Sequence, residues 1–142
     1  MKLLSSSVRN IYSRGNTLIR NFKMCSDTVK CQLFQSFCTN IYCAPLWSNY
    51  SKVGSLDRLK VAYNRVFRIL MNIDHRTSMS ESFIRRGLHP FLVIIRKSIV
   101  SFRNRILDSS NILVKTIVES MYFLSCKLTC LWNRAVLTLN AC

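Results

Sequence analysis

The sequence predicts an all-α fold, an irregular bundle of about five to six helices with no sheet. Three observations lead there. Only 3 glycines and 2 prolines occur in 142 residues, too few for the tight turns that many short strands need. The 49% hydrophobic content supplies the core that a disordered basic tail lacks. Apolar residues recur at three- and four-residue spacing, the period of a helix with one buried face.

Each element follows from that pattern. In the first helix Val8, Ile11, Tyr12, Gly15, Leu18, Ile19 and Phe22 share a stripe, with Arg9, Arg14, Arg20 and Lys23 off it. Gly15 costs such a helix about 1 kcal/mol relative to alanine, which points to close packing there. Ser26 is suited to cap a second helix, and Asp27 complements its positive end. Val29, Leu33, Phe34, Phe37, Cys38, Ile41 and Tyr42 are expected on its buried face, and Pro45 ends it. A polar loop over 48–54 leads to Ser55, the expected cap of a third helix running to about Met71. Its inward residues are Leu56, Leu59, Ala62, Tyr63, Val66, Phe67 and Leu70.

Residues 72–78 read as a connection. A short helix over 80–86 stops at Gly87, which suits a left-handed position, and Pro90 suits the first position of a fifth helix. That helix runs to about Leu107, burying Phe91, Ile94, Ile95, Phe102 and Ile106 and exposing Arg96, Lys97, Arg103 and Arg105. Residues 108–111 break the pattern. A last apolar helix is expected from Ile112 into the 120s, with fraying beyond about Ala135.

Charge divides the chain more sharply than hydrophobicity does. The 21 lysines and arginines against 6 acids leave a net +15. Residues 1–107 hold 18 basic and 4 acidic side chains, and residues 108–142 hold 3 and 2. The sequence therefore divides into a basic helical region, 1–107, and an apolar C-terminal helix and tail, 108–142. So much like charge calls for a polyanion, and nucleic acid fits best. Anionic lipid is the other polyanion, but the cations recur along the chain rather than clustering beside an apolar anchor, so no membrane partner is expected. No stretch reaches the roughly 18 to 20 apolar residues of a membrane span.

Catalytic chemistry is hard to place. The sequence has no glycine-rich phosphate loop, no paired histidines at helical spacing and no adjacent aspartates to hold two metal ions. Cys126 and Cys130 stand one helical turn apart, but no paired C-x-x-C zinc knuckles occur, and buried apolar roles are expected for them. His75 and His89 read as structural or solvated. No enzyme activity, metal or cofactor is expected. Seven cysteines without a secretory signal read as reduced intracellular thiols.

The candidate nucleic-acid-binding residues are Arg14, Arg20, Lys23, Lys30, Arg58, Arg65, Arg68, Arg76, Arg85, Arg86, Arg96 and Lys97. Cations spaced over a surface meet successive phosphates, whereas base stacking needs exposed aromatics. Most aromatics lie on core stripes, with Tyr50 and Trp47 as exceptions, so backbone tracking is expected over base readout.

A set of spaced residues also carries a family likeness. Gly15-Asn16-Thr17-Leu18, Arg20, Phe22, Cys25, Val29-Lys30, Leu33-Phe34, Cys38, Tyr42 and Leu46-Trp47 form its first part. Leu59, Val61-Ala62-Tyr63-Asn64, Arg68, Leu70, Phe83, Gly87, Arg96, Phe102 and Arg105 continue it. Together they resemble the segment after the palm of non-LTR retrotransposon reverse transcriptases, jockey-like and RTE-like elements in particular. The resemblance covers roughly residues 5–118. It implies a helical thumb that grips template–primer duplex, in a fragment or remnant without palm or endonuclease and inactive alone. No catalytic residue carries over, because the family's aromatic box with two aspartates has no counterpart here. The chain departs from the family at Asn40-Ile41, where relatives often carry a proline, and from about Glu119 onward.

Two other readings fit parts of the sequence. Residues 1–26 lack acids and carry arginines off an apolar stripe, like a mitochondrial transit helix ahead of a small basic matrix protein. A helical protein–protein module would bind through contacts that survive salt. The resemblance implies nucleus or cytoplasm, and the transit reading implies the mitochondrion.

Overall fold

A computed structural model describes residues 2–39, 41 and 53–140. Among these residues it is all-α, a helical bundle without a strand. Its helices are α1 (Lys2–Asn21), α2 (Asp27–Cys38), α3 (Val53–Leu70), α4 (Met79–Arg85), α5 (Phe91–Leu107), α6 (Ile112–Glu119), α7 (Met121–Ser125) and α8 (Lys127–Asn140). The excess over the expected number arises at the C-terminal end, where one expected helix is three.

Two compact units share the chain. The first comprises Met1–Tyr42 and Ser51–Leu92, and the second Cys43–Tyr50 and Val93–Cys142. The division falls inside α5, ahead of the charge boundary at 107/108, so packing and charge partition the chain at different points.

In the first unit, Ser26 caps α2 as expected, its Oγ accepting the Val29 N–H at 3.5 Å. The short turn at 22–26 makes α1 and α2 an antiparallel hairpin. Among the described side chains of α1, Ile11, Gly15 and Leu18 are buried, at the centre of the expected stripe. Gly15 packs on α3 so closely that an added Cβ would lie 2.3 Å from Val66 Cγ1. The glycine is what lets these two helices touch.

The core centres on rings. Phe34 of α2 lies 4.9 Å from Tyr63 and 4.8 Å from Phe67, centroid to centroid. Phe83 of α4 stacks on Phe67 at 4.4 Å, and Phe91 tilts against Tyr63 at 5.6 Å. All five are at most 2% exposed. Aromatic pairs in this range add to burial through their quadrupoles.

Two helix ends in this unit use the same closing device. At the end of α3, Ile73 N–H donates to Arg68 O at 2.9 Å and Asn72 N–H to Ile69 O at 3.2 Å, with Asn72 at φ 51°. At the end of α4, Leu88 N–H donates to Phe83 O and Gly87 N–H to Ile84 O, with Gly87 at φ 67°. Both are Schellman motifs, which satisfy last-turn carbonyls through one left-handed residue. Gly87 meets the expectation, and asparagine tolerates the same conformation at position 72.

Several expectations need correction. Helix α2 ends at Cys38, well before Pro45: Thr39 is its C-cap, and beyond it the Ile41 N–H donates to Thr39 O at 2.8 Å rather than to a carbonyl one helical turn back. Its buried row is Cys31, Phe34 and Cys38, so Val29 and Phe37 fall on the exposed flank. Helix α3 starts at Val53, which puts Val53 and Gly54 in the helix and Ser55 inside its first turn rather than at the cap. Tyr42, Pro45, Leu46, Trp47 and Tyr50 lie outside the described residues. Helix α4 spans Met79–Arg85, one residue earlier than expected, and α5 starts at Phe91, leaving Pro90 just ahead of it.

In the second unit, α5 buries Ile95 and Ile99 at four-residue spacing, while Ile94 is half-buried. Arg96 and Arg103, expected outside, are half-buried as well. Trp132 of α8 is 1% exposed and meets Phe102 and Phe123 edge-on at 6.2 and 5.6 Å. Its Nε1 has no hydrogen-bond partner among the described residues. The expected single C-terminal helix is interrupted at Ser120 and Cys126, whose ψ angles of 142° and 151° are extended. Where fraying was expected, α8 continues to Asn140, anchored by Trp132 and Ala135.

Candidate nucleic-acid interface

The structure sorts the twelve candidate cations into distinct physical roles. Three serve the fold directly. Arg14 Nη1 donates to Phe37 O at 3.1 Å, placing a cation at the C-terminal end of α2, where the last carbonyls lack helical partners. Arg68 ties down the 72–78 connection by donating to His75 O and, at 3.2 Å, to Thr77 O. Arg86 Nη1 donates to Ser82 O at 3.3 Å.

Two more are engaged in ion pairs along their own helices. Lys30 lies 3.9 Å from Asp27, and Arg85 Nη2 lies 2.7 Å from Glu81 Oε1. Surface pairs of this kind contribute little to stability, about 0–1 kcal/mol, and open readily. Arg85 and Arg86 also line a cleft of about 210 Å³ together with Asp74 and Glu81. Its charges of both signs cancel, so the cleft is no anion hole.

The remaining first-unit candidates, Arg20, Lys23, Arg58, Arg65 and Arg76, are exposed. Arg58 and Arg65 stand two turns apart on α3, about 10.5 Å along the helix axis. They lie on the flank of the helix, beside the buried row of Leu59, Ala62, Val66 and Leu70. Arg9 and Lys60 are exposed too, and the off-stripe position that marks the others marks them as well. Arg96 and Lys97 belong to the second unit, Arg96 half-buried and Lys97 exposed.

The described cysteines, Cys25, Cys31, Cys38, Cys126 and Cys130, are all free thiols. Cys130 is exposed and Cys126 half-buried, against the expectation that this pair is buried. The Thr129 hydroxyl, and backbone N–H groups after it, hold the Cys126 thiol below its ordinary range. No group of three or more His, Cys, Asp and Glu among the described residues could hold a metal ion. His75 is exposed, with Nδ1 3.3 Å from Asp74 Oδ1.

Inside the first unit, burial pushes the Cys38 thiol up to about 11, with Arg14 opposing the shift. Burial also raises Cys31 and Tyr63. A group raised by folding keeps more protons in the native state, so its contribution is complete below the unfolded value and is lost as pH climbs towards the folded one. Stability is therefore expected to fall between about pH 9 and pH 11, with Cys38 alone accounting for about 2 kcal/mol. Urea midpoints over that window check this. The slope should flatten in Cys38→Ala, and an unchanged slope would refute the assignment.

Compared with known proteins, the chain matches no protein-family model, no curated protein and no solved structure.

Proposed function

We propose that this chain is the thumb-like helical part of a non-LTR retrotransposon reverse transcriptase and that it grips template–primer nucleic acid through the phosphate backbone. The observation that carries the reading is the exposed cation set on the first unit. Arg20, Lys23, Arg58, Arg65 and Arg76 face solvent without a side-chain partner among the described residues. They surround a core whose rings are closed to any ligand. Cations without protein partners above a rigid core are what non-specific phosphate contact requires. The sequence has no adjacent aspartates, so the proposed role is gripping and not chemistry, and it calls for no cofactor. The packing of Gly15 on Val66 supports α1 as part of the body of the fold rather than a removable leader.

Titration of a fluorescent RNA–DNA hybrid tests the reading. If these five cations each neutralise one phosphate, log affinity should fall against log salt with a slope of about −4 to −5. Arg58→Ala combined with Arg65→Ala should reduce that slope by about 2. Arg68→Ala should instead act on stability, because its guanidinium ties down the 72–78 connection. No binding in low salt, or a slope near zero, would overturn the proposal.

A further inference from the structure

A cysteine pair that the proposed grip leaves unused lies at the start of α8. Both thiols are free, Cys130 exposed and Cys126 half-buried. The turn between them is helical, with Cys130 N–H donating to Cys126 O at 3.3 Å. Cys126 itself stands just ahead of the helix, its backbone extended at φ −73° and ψ 151°, so its sulfur takes the place of a capping oxygen. The Thr129 hydroxyl lies 3.2 Å from that sulfur. This hydroxyl, with the N–H groups of Thr129 and Leu128, makes Cys126 more acidic than an ordinary thiol.

Thr129 supplies a donor that can change hands. The residue is buried, its hydroxyl donates to Phe123 O at 2.6 Å, and Cys126 N–H reaches the same carbonyl at 3.3 Å. A hydroxyl has one proton to give. While Cys126 is a thiol, that proton stays on Phe123 O and the S–H points at Thr129. Once the sulfur ionises, the hydroxyl turns to it, and Phe123 O keeps the Cys126 N–H.

We propose that Cys126 and Cys130 are a redox pair, Cys126 attacking hydroperoxides and Cys130 closing a disulfide with it. Placement singles this pair out. Cys31 and Cys38 are buried, and burial raises both, the condition of inert thiols. Two thiols do not complete a tetrahedral zinc site, and no third His, Cys, Asp or Glu among the described residues joins them. One helical turn sets the two Cα atoms about 6 Å apart, inside the roughly 4.4–6.8 Å that a disulfide spans.

The chemistry runs in two steps. The Cys126 thiolate attacks the terminal oxygen of a hydroperoxide, an S–O bond forms and the O–O bond breaks. The departing oxygen takes up a proton and leaves as an alcohol, or as water from hydrogen peroxide. Sulfur loses two electrons, the peroxide gains them, and Cys126 becomes a sulfenic acid. Its sulfur then turns from Thr129 towards Cys130, whose thiolate attacks it. The S–S bond forms, the S–O bond breaks, and the hydroxide leaves as water with the proton that Cys130 gave up.

Peptide mapping of the full chain after treatment with sub-millimolar hydrogen peroxide tests the proposal. Trypsin cuts after Lys115, Lys127 and Arg134, so the two cysteines fall on separate peptides, 116–127 and 128–134. They should be recovered as one species lighter by two hydrogens than their sum, and dithiothreitol should separate them. Cys130→Ser should stop at the sulfenic acid, trapped on Cys126 by dimedone. Cys126→Ser keeps a capping oxygen and should leave Cys130 reduced. Thr129→Val should slow iodoacetamide alkylation of Cys126 at neutral pH several-fold and move its half-maximal rate to higher pH. An unchanged pH profile would remove Thr129 from the site. Oxidation of Cys130 at the parent rate in Cys126→Ser would overturn the proposal. So would a Cys126 that stays reduced or pairs with any other cysteine.

Discussion

Phe34→Ala is expected to lower the unfolding free energy of the first unit by about 3–5 kcal/mol. Phe34 is fully buried and is the ring that joins α2 to both α3 and α4, through Tyr63, Phe67 and Phe83. Truncation removes its transfer free energy and leaves a hole between stiff neighbours. Phe67 and Phe83 already stack on each other at 4.4 Å and cannot swing inward without breaking that contact. The cavity should stay largely unfilled, which places the cost towards the upper end. Against a total of roughly 5–15 kcal/mol, such a loss would leave the unit barely folded. Denaturant unfolding followed by circular dichroism measures it, and a loss below about 1.5 kcal/mol would show that the cluster relaxes more freely than its geometry implies.

Gly15→Leu should cost about 3 kcal/mol, with Gly15→Ala near 1–2 kcal/mol. Alanine is the better helix former by about 1 kcal/mol, so intrinsic propensity predicts stabilisation. Packing reverses the sign. The added Cβ would sit 2.3 and 2.8 Å from the two Val66 methyls and 3.1 Å from the Val66 Cβ. A β-branched side chain in a helix has essentially one χ1 rotamer, so Val66 cannot turn away and the helices must separate. Val66→Ala removes both methyls and should rescue Gly15→Ala, so that the double variant is more stable than the sum of the single changes predicts. Additive losses in a double-mutant cycle would show that this helix contact does not limit the fold.

Helix α3 was legible because burial there follows the 3.6-residue period cleanly. Leu59, Ala62, Tyr63, Val66, Phe67 and Leu70 are all buried, and all six lie on the stripe read from spacing. Gly15 was legible as a close approach, though its partner was not, since one sequence cannot say which helix comes near. Helix α2 misled because its apolar residues cover two adjacent rows, and spacing alone does not choose between 29/33/37 and 31/34/38. The C-terminal helix misled for a related reason. An apolar run reads as buried, and neither Ser120 nor Cys126 is a strong breaker by type. Their extended backbone conformations divide the run.

The candidate interface was legible as a set and not as individual roles. Off-stripe position marks an arginine as outward-facing. It cannot separate Arg58, which has no side-chain partner among the described residues, from Arg68, whose guanidinium reaches carbonyls seven and nine residues along the chain. Spacing within a helix carries no information about the loop that follows it. Arg14 and Phe37, 23 residues apart, meet only because the α1–α2 hairpin brings them together.

The indole of Trp132 gives the second unit a different character from the first. Among the described residues its N–H is enclosed without an acceptor, so packing this ring gives up a hydrogen bond that water supplies when the unit opens. At the centre of the first unit, by contrast, four of the five rings are hydrocarbon. Local opening should therefore favour the Trp132 side of the chain, and the indole itself would report the event as a shift in its emission. Exchange of the Trp132 N–H with solvent deuterium would then begin while the ring cluster around Phe34 is still closed. That enclosed N–H would be an early sign of motion in the second unit.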